Sequence, residues 1–387
     1  MITNINIKNY KSVVDASLPL GRFNLLIGAN GCGKSNILEA IALSAAASSE
    51  KLDYEYFANR GIRVVEPRFM LPAFEDAVEE SILITVKDEA NNPFKFEIQY
   101  NKEAKPARWE NSKKYVVSID NEFFSDTPLR DFSALKAYIR MKLGEDCPPH
   151  YNISMRGNEM VIQPSNLELD SFLIYALEET ILRNADNSNR TFPMGRHGEG
   201  LFAYLKDLSQ RPESVAIFNE IKENLKVLDW FDDMQVPAGQ LSMEFILKLK
   251  DSYLADTINT FDQRSTNEGF LYLLFFLTLV VSDETPRFFA IENIDTAFNP
   301  KLCREVIRRL IELARKHDKQ IIATTHNPAI LDGLDLNDSE QKLMVVQRSV
   351  DGYTKVRTLK REEVVNSELP LSQLWLRGFV GGLPNNF

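Results

Sequence analysis

Eight consecutive residues carry the plainest chemistry in the chain: Gly28-Ala29-Asn30-Gly31-Cys32-Gly33-Lys34-Ser35. Four residues separate Gly28 from Gly33, and Lys34-Ser35 follow at once, which is the spacing of a P-loop. Glycines let backbone N–H groups turn inward onto phosphate oxygens. A helix N-terminus behind the loop adds positive partial charge. On this reading Asn30, Gly31, Cys32 and Gly33 line a phosphate cradle. Lys34 reaches the β- and γ-phosphates of ATP, and the Ser35 hydroxyl ligates Mg²⁺. Phe23–Ile27 reads as a short buried strand and Asn36–Leu43 as a helix, so the loop has the context the motif requires. A glycine-rich turn with a chance lysine would not need that context.

Three later stretches could join this site. The apolar run from Arg287 to Ile291 ends in Glu292, and a buried strand ending in a carboxylate can serve the Mg²⁺ and its water network. Gln320–Thr324 is a second buried strand. It delivers His326 at its C-terminal end, where ligands bind in open α/β sheets. That histidine either contacts the γ-phosphate or is structural. Ser265-Thr266-Asn267-Glu268-Gly269 precedes a long apolar helix. A small polar cluster there is either an anion site, through Asn267 and Gly269, or an ordinary N-cap.

The elements that must hold these residues come in two blocks. Ile2–Ile7 and Val13–Leu20 read as strands ahead of the nucleotide strand. From about residue 240 the pattern is strand (Met243–Leu249), helix (Asn267–Val281), strand (Arg287–Ile291), helix (Pro300–Lys316), strand (Gln320–Thr324) and strand (Leu343–Gln347). That alternation predicts a parallel α/β core. The expected organisation is a bipartite P-loop core over 1–48 and 240–360. A flanking antiparallel β region spans 49–125, a mainly helical insert 126–239, and a C-terminal tail 361–387. Strands are expected at Arg63–Val65, Ile82–Lys87, Phe94–Tyr100 and Tyr115–Ile119, with a helix over Asp131–Leu143. A hairpin is expected across Arg156–Glu159. Helices are expected at Leu167–Asn184, Gly200–Leu208 and Pro212–Leu225. The polar loop 184–200 carries Arg190, Arg196 and His197 and is open to a solvated or a ligand-facing reading.

Composition narrows the class. The net charge of −10 rules out a surface that is basic throughout, although a local basic patch remains compatible with it. Cys32, Cys147 and Cys303 are far apart, without metal-ligand spacing, as expected of a reduced cytoplasmic protein. The N-terminus shows no signal-peptide pattern. The longest apolar run, Phe270–Val281, is too short to span a membrane. No heptads are sustained, so no long coiled-coil arm is expected.

Taken in order, Asn9-Tyr10-Lys11-Ser12, the P-loop with its trailing Asn36, the strand ending in Glu292-Asn293, and Thr325-His326-Asn327-Pro328 resemble the ABC-type heads of RecF, SMC and OLD-like AAA ATPases. Heads of this kind occur in DNA repair and in bacterial anti-phage operons of the Septu and retron-associated type. The resemblance implies a head that binds ATP and Mg²⁺ and forms a homodimer or higher oligomer through its ATP-bound heads. Lys11, Ser12 and Asn36 would then assist nucleotide binding. Ser265 to Gly269 would stand at the signature, Thr296 to Asn299 at the D-loop, and His326 at the switch position. The family pattern has Asp-Glu where this chain has Glu292-Asn293. An amide cannot take a proton from water at neutral pH. The resemblance therefore implies slow turnover, with Asp295 as an alternative acid, and Asn293→Glu should raise the rate. OLD-like nucleases carry a nuclease domain after the head; here about sixty residues follow His326, and Leu343 to Val356 offers no clustered acids for one. The expected partner is thus a separate effector, a nuclease or toxin. The alternatives are a RecF-like DNA-binding ATPase, which would use the basic helix Arg304–Lys316, and an ATP-sensing scaffold with little hydrolysis. The tail Leu371–Phe379, with an exposed-looking Trp375, docks on its own core or on a partner.

Overall fold

The computed structural model describes residues 1–74, 80–111, 115–118, 132–144, 147, 150–156, 159–164, 167–183, 193–236, 247–255, 260–364, 367 and 369–383. Arg190, the turn at 157–158, residues 243–246 of the expected strand, Ile119 and Asp131 lie outside the described residues. Internal contacts divide the chain into two units. One comprises Met1–Leu20, Asn36–Ser171 and Arg348–Lys355; the other comprises Gly21–Ser35, Phe172–Gln347 and Val356–Phe387.

The second unit is built on one sheet. Its strands are β3 (Phe23–Ile27), β10 (Ile174–Tyr175), β14 (Phe288–Ile291), β15 (Gln320–Thr324), β16 (Gln341–Arg348) and β17 (Thr354–Thr358), in the order β10-β14-β15-β3-β16-β17. The pairings β10–β14, β14–β15, β15–β3 and β3–β16 are all parallel. Every residue of β3, β14 and β15 is buried, so these strands are mostly apolar rather than alternating, with Asn24, Gln320 and Thr324 as buried polar members. Because they are parallel, their C-terminal ends open on one edge of the sheet. Two helices pack in its core: α8 (Glu268–Val281), buried on all sides from Phe270 to Val281, and the amphipathic α9 (Pro300–Lys316). No helix among the described residues is long and apolar enough to cross a membrane. Helices α6 (Leu201–Gln210) and α7 (Val215–Leu225) join the same core, beside the small antiparallel sheet β11 (Phe231–Gln235), β12 (Lys248–Asp251) and β13 (Thr260–Asp262).

The first unit holds a five-stranded antiparallel sheet. Its order is β2 (Val13–Pro19), β1 (Ile2–Tyr10), β4 (Ser81–Asp88), β5 (Pro93–Asn101) and β6 (Arg108–Asn111). A second antiparallel sheet is β7 (Tyr115–Ser118), β9 (Glu159–Pro164), β8 (Tyr151–Arg156), covered by α3 (Phe132–Leu143). Helix α2 (Tyr54–Arg60) lies in this unit, and helix α1 (Lys34–Ser48) precedes it in the chain. Helix α1 is buried nearly all round from Ile37 to Ser48, as its run of Ala, Ile and Leu requires.

Several expectations change. Residues 1–20 group with the antiparallel sheet, because β1 pairs with β4 as well as β2. The region 126–239 contains strands β8 to β11 as well as helices. Arg63–Val65 forms no strand; Arg63 is held instead by Glu39 and Asn36. Leu167–Asn184 is not one helix. Among its described residues it holds α4 (Leu167–Asp170), strand β10 and α5 (Glu179–Arg183), because Ile174 and Tyr175 are drawn into the sheet beside β14. The tail docks on its own unit. Helix α10 (Leu371–Leu376) buries Leu374 and Trp375, and Ser372 bonds both oxygens of Asp332. Trp375 is 3% exposed, while Leu376 and Phe379 face out.

Candidate functional site

The P-loop leaves β3 at the centre of the sheet. Gly28 has φ +152°, and a Cβ there would sit 2.1 Å from the Val346 carbonyl oxygen, so β16 lies too close for any side chain. Gly31 and Gly33 also have positive φ, and the loop tip at Asn30 and Gly31 is exposed. Lys34, largely buried, folds back over the loop. Its ammonium donates to the Gly28 carbonyl at 2.7 Å and to that of Ala29 at 3.1 Å, with the buried Cys32 sulfur 3.8 Å away. Burial lowers the Lys34 pKa, and Cys32 and Glu292 oppose the shift.

The Ser35 hydroxyl donates to Glu292 Oε1 at 2.7 Å, across 257 positions of sequence. Glu292 follows β14, and its N–H is held by the Tyr175 carbonyl at the end of β10. A hydroxyl and a carboxylate oxygen side by side suit a hard cation such as Mg²⁺. That ion takes one or two protein ligands and completes its shell with water and phosphate. No group of three or more His, Cys, Asp or Glu side chains forms a metal cluster among the described residues. Ser35 and Glu292 would hold the ion, which would supply charge neutralisation on the phosphates.

Asn293 is exposed and left-handed, with φ +50°. Asparagine is among the few side chains that tolerate this region well. Its N–H donates to Thr324 Oγ1 at 3.0 Å, and its carbonyl accepts from Thr296. Asp295 accepts a hydrogen bond from the buried Thr325 hydroxyl at 2.6 Å. His326, just beyond β15, is exposed. Partial desolvation and then the Lys34 ammonium hold its imidazole below the usual range, against the pull of Asp295. The sheet therefore gathers Ser35, Glu292, Asn293, Asp295 and His326 at strand ends that share one edge.

Asn267 caps α8, its Oδ1 accepting from the Phe270 N–H at 2.8 Å. Gly269 lets the Ala297 carbonyl approach, since a Cβ there would lie 3.0 Å from that oxygen. Both residues thus have local structural work. Lys11, Ser12 and Asn36 come together in the other unit. Ser12 bonds Thr354 and Asn36, each at 2.7 Å, and Lys11 pairs with Glu39. Glu39, 2% exposed, also accepts from the Tyr10 hydroxyl and from Arg63. Sequence reasoning assigned no role to Glu39, Arg63, Thr324 or Thr325. The signal for Glu39 was a single acid inside an otherwise apolar helix.

Five of the basic residues of α9 are paired with acids. Arg304 and Arg308 meet Glu305, Arg309 meets Glu312, Arg315 meets Asp338 and Glu340, and Lys316 meets Glu220. Among residues 193–200 of the polar loop, His197 bonds the Ala176 carbonyl and Glu178, so that stretch runs beside the end of β10.

Residues 1–155 match a family model described as an AAA ATPase domain. Residues 260–332 match the AAA domain model associated with AbiEii toxin and type IV toxin–antitoxin systems. No curated protein matches the chain. Among solved structures, an SMC head bound to the C-winged helix domain of ScpA is similar over 94% of this chain and 99% of that one, at 14% identity and a TM-score of 0.54. The SMC head domain from Thermotoga maritima is similar over 93% and 99%, at 12% identity and a TM-score of 0.47. Two segments of the chain are thus similar to AAA ATPase domains, and its fold is the α/β fold seen in an SMC head.

Proposed function

We propose that this chain binds MgATP on its P-loop, hydrolyses it slowly, and uses the bound state to assemble and to control a separate effector, a nuclease or toxin, in anti-phage defence. The observation that carries the ATPase part is the Ser35–Glu292 hydrogen bond, which brings together the two side chains that would hold Mg²⁺. In this reading Asp295 takes the proton of the attacking water in place of the amide at 293, and His326 lies against the γ-phosphate. The defence setting is supported by the toxin–antitoxin description of the model matching 260–332. Homodimers would form with the segment Asn267–Gly269 of one copy completing the site of the other. A bipartite ATPase core with an insert is kept as part of the proposal, with residues 1–20 and 36–48 grouped with the antiparallel sheet.

Phosphate release from MgATP tests the core of this reading. The wild-type chain should turn over, and Lys34→Ala should abolish both turnover and binding of a fluorescent ATP analogue. Light scattering with and without MgATP tests assembly; an unchanged mass would remove the dimer from the proposal. One observation favours a second reading, an ATP-sensing scaffold: the exposed amide at 293. Single-turnover measurement separates the two, since a scaffold would release no phosphate over hours.

A further inference from the structure

The end of β14 and the end of β15 are tied together through the Thr324 and Thr325 hydroxyls, which no part of the proposed function uses. Thr324 Oγ1 accepts the Asn293 N–H, and the Thr324 carbonyl accepts the Ile294 N–H at 3.1 Å. One residue further along, the Thr325 hydroxyl donates to Asp295 Oδ1 at 2.6 Å. Thr325 is fully buried, at 0% exposure. Its oxygen also accepts the Asn327 N–H at 3.0 Å. The competing acceptor for its proton, the Asn327 carbonyl, is farther, at 3.4 Å. A hydroxyl has a single proton, and here the geometry directs it to Asp295. Asn327 is itself fixed. Its Oδ1 accepts from the Ala329 N–H, and its amide donates to Cys303 Sγ at 3.5 Å. Asp295 Oδ2 makes no hydrogen bond among the described residues, so one carboxylate oxygen is held and the other is open.

We infer that Thr325 is a positioning residue for Asp295: its buried hydroxyl holds Oδ1 and so presents Oδ2 to the water that attacks ATP. This rests on the reading of Asp295 as proton acceptor. In that step the water oxygen bonds to the γ-phosphorus and its proton passes to Oδ2. The bond from the γ-phosphorus to the bridging oxygen breaks, and ADP leaves with the electron pair. A carboxylate free to rotate would spend less time aligned with that water, and small misplacements of a reacting group are costly. His326 lies between residues 325 and 327, so the same ties fix the backbone on both sides of it.

The experiment compares Thr325→Val and Thr325→Ser in the full chain with MgATP, alone and combined with Asp295→Asn. Valine keeps the shape and removes the hydroxyl; serine restores it. Thr325→Val should lower kcat about tenfold or more, with KM for ATP and the thermal midpoint nearly unchanged, and Thr325→Ser should recover most of the rate. In the Asp295→Asn background, Thr325→Val should cost nothing further. An unchanged kcat in Thr325→Val, a loss that Thr325→Ser fails to rescue, or full additivity with Asp295→Asn would each overturn the inference. A wild-type chain that releases no phosphate would instead overturn the ATPase reading. Turnover unaffected by Asp295→Asn would remove Asp295, and Thr325's role with it.

Discussion

Ser35 and Glu292, 257 residues apart in sequence, share a hydrogen bond of 2.7 Å at the edge of one parallel sheet. One ends the P-loop and the other follows the strand two places away, and neither could hold a divalent cation well by itself. The pair predicts a shared phenotype. Ser35→Ala and Glu292→Gln should each raise the Mg²⁺ concentration for half-maximal ATPase activity by about tenfold or more, as losses around a metal site do. The double variant should be little worse than Glu292→Gln. Strict additivity in a Mg²⁺ titration would show that the two side chains do not serve one ion.

Asn293 answers to two demands at once. Its left-handed backbone favours asparagine, while the proposed hydrolysis would favour an acid beside Glu292. Asn293→Glu should therefore raise turnover while lowering stability by about 1 kcal/mol, the cost of placing a longer side chain in that region. Asn293→Gly should keep the stability and leave the rate unimproved. Urea unfolding together with steady-state phosphate release reads both effects. A faster but equally stable Asn293→Glu would show that the loop relaxes out of the left-handed conformation.

Lys319 is buried at 1% exposure, its ammonium on the carbonyls of Thr285 and Pro286 and on the Thr285 hydroxyl. Burial pushes its pKa down to about 8. Between about pH 8 and the ordinary lysine value near 10.5, the unfolded chain holds a proton that the folded chain has released. Unfolding then takes up protons, and stability rises with pH across this window. The full effect is about 3 kcal/mol. Above pH 10 the trend reverses, because burial raises the pKa of Tyr204 and Tyr272 to about 12 and the folded chain keeps their protons longer. Lys319→Met should flatten the rise between pH 8 and 10 in denaturant titrations, although it lowers stability at every pH by leaving the carbonyls unpaired. A parallel rise in the variant would assign the slope to other groups.

Glu39 is the buried anion on which Tyr10, Lys11 and Arg63 converge. Glu39→Gln keeps the shape and removes the charge, leaving Lys11 partly buried without its counter-ion. The expected loss is about 2 kcal/mol, below the usual figure for breaking a buried pair because Arg63 is largely exposed. Combining it with Lys11→Met should restore part of that loss. Urea midpoints for the two single variants and the double variant measure the coupling, and additive losses would mean that the Lys11–Glu39 pair contributes nothing of its own.

Some of this protein was determined locally and could be read from the chain alone. The P-loop spacing, the apolar runs of β3, β14 and β15, and the alternation of strand and helix depend on neighbours within a few residues. So do the cap at Asn267 and the bounds of α9, which were expected correctly as Pro300–Lys316. Other features exist only once distant segments meet. Ile174 and Tyr175 look helical in isolation and become a strand because β14 offers them an unpaired edge. Trp375 looks exposed in an apolar tail and is buried because its own unit covers it. Glu39 and Thr325 show no role in the linear chain, since their partners lie up to 30 residues away and the value of each hydrogen bond depends on burial. Local pattern chose the elements and named the phosphate loop. Tertiary packing decided which carboxylates stand at the open edge of the sheet and which hydroxyls hold them, because only there do strands distant in sequence end side by side.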